Sequence, residues 1–223
     1  MHAADLAEVI VGMDASAPAV EQTQALLHDA LTGRFMGRIA LVSSFGTESA
    51  VLLHLVAEID PATPVLFIDT RKHFGETLRY RDHLTKRLGL RDVRSVALSK
   101  SEESAGDPTG MLFQGDPDGC CHLRKVVPLA RALEPFAAWI NGRMGFHGGL
   151  RADLAWAERD GLHIKLNPLA HWTADDVEAY FETHALPRHP LVEDGYTSVG
   201  CYTCTARNSD AHDVRSGLSL IHI

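Results

Sequence analysis

Short apolar runs alternate with helix-patterned segments along most of this 223-residue chain, and each pair meets at a turn of small or polar residues. "RIALVSSF" leads into "TESAVLLHLVAEI", and "PVLFID" into "GETLRYRDHLTKRLG", which Gly89 closes. "VRSVAL", "FAAWING" and "IKLNPL" read as further strands, "RKVVPLARAL" and "TADDVEAYFETH" as helices, the last with Thr173 at its N-cap. This alternation predicts an α/β fold, a mostly parallel sheet with helices on both faces, in which ligands lie at the carboxyl ends of the strands. Ahead of it, residues 1–32 place Leu6, Val9 and Ile10, then Leu26, Leu27 and Ala30, at helical spacing broken near "DASAP". They predict an N-terminal helical segment of two helices. No repeat, low-complexity tract or long linker divides the chain, so one domain is expected.

Composition narrows the class. With 45% hydrophobic and 22% charged residues, the chain can bury one sizeable core. It has no apolar run of about eighteen residues, so no membrane span is expected. "MHAADLAEVIVGMDASAP" lacks the features of a secretory signal, which predicts a cytoplasmic protein with reduced cysteines. A net charge of -8 argues against a nucleic-acid coat and leaves room for a local basic patch that collects an anionic small molecule.

The strand ends are the places to look for chemistry. In "SSFGTES", residues Ser43, Ser44, Phe45, Gly46, Thr47, Glu48 and Ser49 let the backbone curl at a helix N-terminus, with hydroxyl donors where an anion is favoured. The stretch has no Walker lysine, and a plain capped turn is the competing reading. Asp69 and Thr70 close the next buried strand, where a polar contact to a nucleotide is expected of Asp69. Arg71 and Lys72 read singly as a solvated charged turn.

Four cysteines complete the pattern: an adjacent pair, Cys120 and Cys121, and a C-x-x-C, Cys201 and Cys204. Buried inert thiols, a zinc site and an iron–sulfur cluster are all open on spacing alone. The adjacent pair makes a two-knuckle zinc geometry awkward. Arg124 and Lys125, just beyond the pair, read either as solvent-facing helix positions or as cations that balance a thiolate cluster and its anionic substrate.

Taken together, "SSFGTESAVLLHLV", "PVLFIDTRKHFGETLRYRD", "DPDGCCHLRKVVPLARAL", "WINGR", "NPLAHWTADDVEAYF", "LPRHPLV" and "GCYTCT" resemble the sulfonucleotide reductases. The cysteine set resembles their cluster-containing assimilatory adenylyl-sulfate (APS) reductases. The resemblance runs from about Arg38 to Gly217 and frames a domain over residues 33–217. It implies an adenine nucleotide α-hydrolase-like (Rossmann-like) fold and a 4Fe-4S cluster on Cys120, Cys121, Cys201 and Cys204. It also implies reduction of APS to sulfite and AMP in sulfate assimilation, with thioredoxin or glutaredoxin as reductant. Ser43 to Ser49 match the family's nucleotide-receiving loop. Lys125 matches the lysine between cluster and substrate, Arg143 the arginine of a G-R-K-R segment, and Arg215 an arginine of a C-terminal R-A-G-R-W segment. The last three are expected around the phosphosulfate.

Some positions depart from that pattern. Arg71 stands where the family usually has Gly, Met144 and Gly145 replace a basic pair, and His212 stands where an acidic residue is common. The family's attacking cysteine lies in a terminal K-T-E-C-G-[IL]-H segment that has no counterpart here. "LSLIHI", Leu218 to Ile223, reads as the translation of a sequencing-library transposon adapter, so residues 218–223 are expected to be a non-native tail and the chain to lack the nucleophilic thiol. Two other activities use similar parts: an ATP-pyrophosphatase-type sulfur transferase acting on tRNA, and a non-catalytic nucleotide or cluster sensor. APS and its 3′-phosphorylated analogue (PAPS) are both candidate substrates, and a homo-oligomer is compatible with the sequence.

Overall fold

The computed structural model describes residues 16–148, 151 and 153–207. Six strands form one sheet: β1 (Ile39–Ser43), β2 (Val65–Ile68), β3 (Val93–Val96), β4 (Ala138–Ile140), β5 (Ala157–Asp160) and β6 (His163–Leu166). Their spatial order is β3-β2-β1-β4-β6-β5, and every neighbouring pair is parallel except β5 with β6. The expected α/β architecture is therefore present. β5, which was not expected, pairs with β6 through a two-residue turn at Gly161 and Leu162, with Asp160 opposite His163.

Strand side chains alternate faces, and both faces are covered. Ile39 and Leu41 of β1 join a large core with helices α1 (Ala19–Asp29), α2 (Ser49–Ile59), α3 (Gly75–Arg87) and α8 (Ala174–Thr183). Ala40, one position over, joins Leu66, Trp139 and the helix α7 (Val127–Leu133) on the opposite face. Of the two N-terminal helices expected, the second is α1, and the first lies outside the described residues. α1 and the π-helical turn Ala30–Arg34 after it pack into the domain: Leu26, Leu27, Ala30 and Leu31 sit in the main core, Thr23 donates to the Pro168 carbonyl at 2.6 Å, and the Trp172 indole donates to Thr23 at 2.8 Å.

Between β3 and α7 the chain folds as α4 (Lys100–Gly106), α5 (Leu112–Gly115) and α6 (Pro117–Cys121), then a π-helical turn over His122–Val126. Turn-forming residues in this stretch serve as helix caps. Ser99 and Glu102 form a reciprocal capping box on α4, and the Asp116 carboxylate accepts the Gly119 amide at 2.8 Å to start α6. A Cβ on Gly119 would lie 2.1 Å from Asp116 Oδ2, so only glycine lets that cap close.

The chain runs outward from β1 through β2 to β3, then returns to the other side of β1 as β4. The strand order reverses there, and a crevice opens beyond the carboxyl ends of β1 and β4. No helix of the described residues is long and apolar enough to cross a membrane.

Candidate functional site at the strand-order reversal

A cavity of about 240 Å³ occupies that crevice. Its floor is the turn after β1. Ser43 Oγ accepts the Phe45 amide at 3.1 Å, and Phe45 adopts φ 51°, which turns its ring away from the cavity to pack edge-on against Phe67. Phe45 thus serves the site through its backbone, whereas Ser43, Ser44, Gly46, Thr47, Glu48 and Ser49 line the cavity. A Cβ on Gly46 would come within 3.3 Å of the Val199 carbonyl, because the segment Ser198–Cys201 crosses directly over the loop. Thr47 Oγ1 ties the two together by donating to the Thr197 carbonyl at 2.9 Å. The turn delivers the N-terminus of the eleven-residue α2 to the cavity, a favourable place for an anion.

Other strand ends supply the walls. Thr70 and His73 follow β2, while Asn141, Gly142 and Arg143 follow β4. Half-buried Lys125 reaches the cavity from the π-helical turn, and Arg143 is half-buried with its Nε enclosed and without a hydrogen-bond partner. Asp69 is not part of the lining; its Oδ1 accepts the Arg71 amide at 2.9 Å. Arg215 lies outside the described residues.

Several lining residues were not singled out in the sequence. His73 Nε2 lies 2.8 Å from the Ile68 carbonyl, its Nδ1 is buried without a partner, and burial holds its pKa below the usual imidazole value. His147 Nε2 lies 2.9 Å from Glu48 Oε2, off hydrogen-bond alignment, and His147 Nδ1 lies 3.4 Å from an Arg151 guanidinium nitrogen. "GRMGFHGGLR" carried the signal for His147 and Arg151, since it begins where a buried strand ends.

Of the four cysteines, Cys201 lines this cavity. Cys120 and Cys121 end α6; Cys201 precedes a 3₁₀ turn that Cys204 ends, and all four are reduced thiols. His73 and Cys201 form an antiparallel backbone bridge, and the Tyr202 amide donates to the Lys72 carbonyl at 2.8 Å. Cys201 Sγ lies 3.2 Å from Thr70 Oγ1. Burial pushes the Cys201 thiol pKa up; Lys125 and the Thr70 contact pull it back, while Cys204 and Cys121 add to the rise. Burial also raises Cys120, with Cys121 and Cys201 adding to the effect and Arg124 opposing it. Cys201 is thus within electrostatic reach of each of the other three sulfurs. Among the described residues, no group of three or more His, Cys, Asp or Glu side chains is gathered at metal-holding distance. In chemistry the donor set, four thiols on two anchored segments with Lys125 near Cys201, is of the kind a soft metal centre takes.

Arg124 and Lys72 have other duties than those expected, whereas Arg71 is exposed as expected and also paired. Arg124 is 3% exposed: it pairs with Asp107 at 2.7 Å and Glu103 at 2.8 Å, and donates to the Thr70 carbonyl at 3.1 Å. It is neither a solvent-facing position nor chiefly a counter-charge for sulfur. Lys72 is not solvated either: its Nζ donates to the Gly110 carbonyl at 2.6 Å and sits 5.0 Å from the Phe113 ring centroid. Arg71, at φ 57°, pairs with Glu103 and donates to the Leu98 carbonyl at 3.0 Å. Together these three strap residues 98–113 across the cysteine helix.

Comparison with known proteins agrees with this arrangement. Residues 38–207 match the model of the phosphoadenosine phosphosulfate reductase domain. The chain is 49% identical to an adenosine 5′-phosphosulfate reductase of Mesorhizobium japonicum, over 82% of this chain and 72% of that protein. It is 48% identical to one from Chelativorans sp., over 81% of this chain and 74% of that protein. Among solved structures, a phosphoadenylyl-sulfate reductase of Candida auris in complex with phosphate superposes with a TM-score of 0.73 at 21% identity, covering 92% of this chain and 98% of that one, which shows the shared fold.

Proposed function

The chain belongs to the phosphoadenosine phosphosulfate reductase family, and from that membership we propose that its cavity binds adenosine 5′-phosphosulfate for reduction to sulfite and AMP. The observation that carries this reading is the joint wall of Thr70, Lys125 and Cys201, which sets a cation and a cysteine of the C-x-x-C pair at the same cavity as the α2 N-terminus. A nucleotide held by the Ser43–Ser49 loop has its anionic end beside these groups, the polarity a sulfonucleotide requires.

In this reading the residues divide the work. Backbone amides and hydroxyls of Ser44, Gly46, Thr47 and Ser49 receive the nucleotide's phosphate, and Arg143 and Lys125 neutralise the phosphosulfate. Arg215 is proposed to join them. Cys120, Cys121, Cys201 and Cys204 are proposed to hold a 4Fe-4S cluster, which, when bound, supplies a compact charged group beside the substrate. Lys125, close to Cys201 and lining the cavity, supports both assignments.

Reduction needs a thiolate that attacks sulfur and displaces AMP, leaving an S-sulfonated cysteine. A dithiol reductant such as thioredoxin or glutaredoxin then becomes a disulfide as sulfite leaves. The sequence holds four cysteines. With all four assigned to the cluster, the attacking thiol is a fifth one, and we propose that the 223 residues bind the nucleotide without turning it over. The reading extends to a cytoplasmic enzyme of sulfate assimilation.

The test is a sulfite assay under anaerobic conditions with reduced thioredoxin, on the chain alone and with a K-T-E-C-G-I-H segment appended. Sulfite only from the extended form, accompanied by broad visible absorbance of the purified protein, is the expected result. A colourless protein with stoichiometric zinc overturns the cluster assignment, and release of pyrophosphate from ATP overturns the reductase.

A further inference from the structure

Three residues, Asn141 just after β4, Asn167 just after β6 and Glu158 on β5, close a ring on the cavity residue Arg143. Its backbone amide donates to Asn141 Oδ1 at 3.0 Å. Asn141 Nδ2 in turn donates to Asn167 Oδ1 at 2.8 Å and to the Leu166 carbonyl at 3.0 Å. Asn167, fully buried, donates to Glu158 Oε1 at 3.3 Å and to the Ala155 carbonyl at 2.7 Å. Glu158 Oε1 lies 3.5 Å from an Arg143 terminal nitrogen and 2.9 Å from Lys165 Nζ. The circuit Arg143–Asn141–Asn167–Glu158 returns to its starting residue.

We propose that this ring holds the Arg143 guanidinium against the cavity for an anion, and that Glu158, on the antiparallel strand β5, is the positioning residue that sets its angle. Glu158 Oε1 stands at an ion-pair distance of 3.5 Å from one terminal nitrogen, while the enclosed Nε has no protein partner. A guanidinium fastened at one corner keeps its remaining donors in a fixed plane, which suits an oxyanion better than a mobile side chain does. Asn141 and Asn167 fix the backbone at the ends of β4 and β6, so both the root and the tip of Arg143 are tied to the sheet. The inference rests on the reading of this cavity as a nucleotide site.

The experiment compares the wild-type chain with Glu158→Gln, Arg143→Gln and the double variant, titrated calorimetrically with APS, adenosine and inorganic pyrophosphate. Glu158→Gln is expected to weaken APS and pyrophosphate about tenfold and adenosine little, the scale of coupling between residues in one network. The double variant is expected to lose no more than Arg143→Gln alone, because Glu158 acts through the arginine. Equal losses for adenosine and APS, or additive losses in the double variant, overturn the proposal. If Glu158→Gln does not fold, Glu158→Asp is read in its place, and unchanged anion affinity there is equally fatal. Wild-type protein that binds pyrophosphate in a Glu158-dependent way but does not prefer APS keeps the ring and removes the nucleotide reading. Wild-type affinity for APS that ignores Glu158 does the reverse.

Discussion

At Gly46 the absence of a side chain is a geometric requirement. The Val199 carbonyl approaches so closely that a methyl group at 3.3 Å forces either the loop or the Ser198–Cys201 segment to retreat. Gly46→Ala is therefore expected to cost about 1–2 kcal/mol in urea denaturation, as overpacking does, and to weaken APS binding about tenfold by displacing loop amides. Lys125 gives a cleaner separation of charge from fold. Lys125→Met keeps the aliphatic stem and removes the cation; the expected outcome is weaker APS binding, a shallower salt dependence of that binding, and an unchanged thermal midpoint. Single residues also show where the sequence misleads. Arg71 and Lys72 look like a solvated turn because both are charged, yet Lys72 is 7% exposed. What covers it is Gly110 and Phe113, far along the chain, and no local pattern announces such a partner.

At the scale of elements, the strap across the cysteine helix depends on one buried ion pair. Asp107 is 3% exposed, and Arg124 supplies two guanidinium nitrogens to it. Arg124→Met strands that carboxylate, and the expected loss is about 3–5 kcal/mol, measured by urea denaturation. Arg124→Met with Asp107→Leu removes both charges and is expected to recover most of it. A double variant as unstable as the single one would show that the Glu103 and Thr70 carbonyl contacts, and not Asp107, carry the strap. β1, β2 and β4 were legible in the sequence because each is a continuous, largely buried apolar run. β5 was not, because "AERD" is mostly polar and forms only an edge. Its clue was the Asp160-Gly161 pair, a hairpin signal that the search for alternating strands and helices passes over. The site divides in the same way: the Ser43–Ser49 loop was visible at a strand end, the cysteines by their spacing and Arg143 through the family resemblance, whereas Glu158 and Asn167 become relevant only once β4, β6 and β5 lie side by side.

Across the whole molecule, acid stability follows from a buried histidine. His189 is fully buried; its Nδ1 accepts the Leu191 amide at 3.2 Å, which leaves Nε2–H to donate to Thr77 Oγ1 at 3.1 Å. Burial pushes its pKa down to about 4. The unfolded chain, with an ordinary imidazole near 6.5, binds the extra proton first, so stability is complete above about pH 6.5 and is lost as the pH falls toward 4. This linkage amounts to about 3 kcal/mol, and burial-lowered His73 and His54 act in the same direction. Denaturation between pH 7 and pH 4 is expected to show the loss, and His189→Asn to flatten it from a lower plateau. A wild-type midpoint independent of pH in that range would remove His189 from the account.

The backbone bridge between His73 and Cys201 has a consequence for biogenesis. A ribosome releases Cys120 and Cys121 long before the C-x-x-C pair, and that later pair has nowhere to dock until β2 is already seated in its sheet. The Cys201–Cys204 segment therefore docks late, on a preformed scaffold. The parallel sheet, itself slow to assemble because its contacts are distant in sequence, acts as a checkpoint that withholds this docking edge from a nascent or misfolded chain.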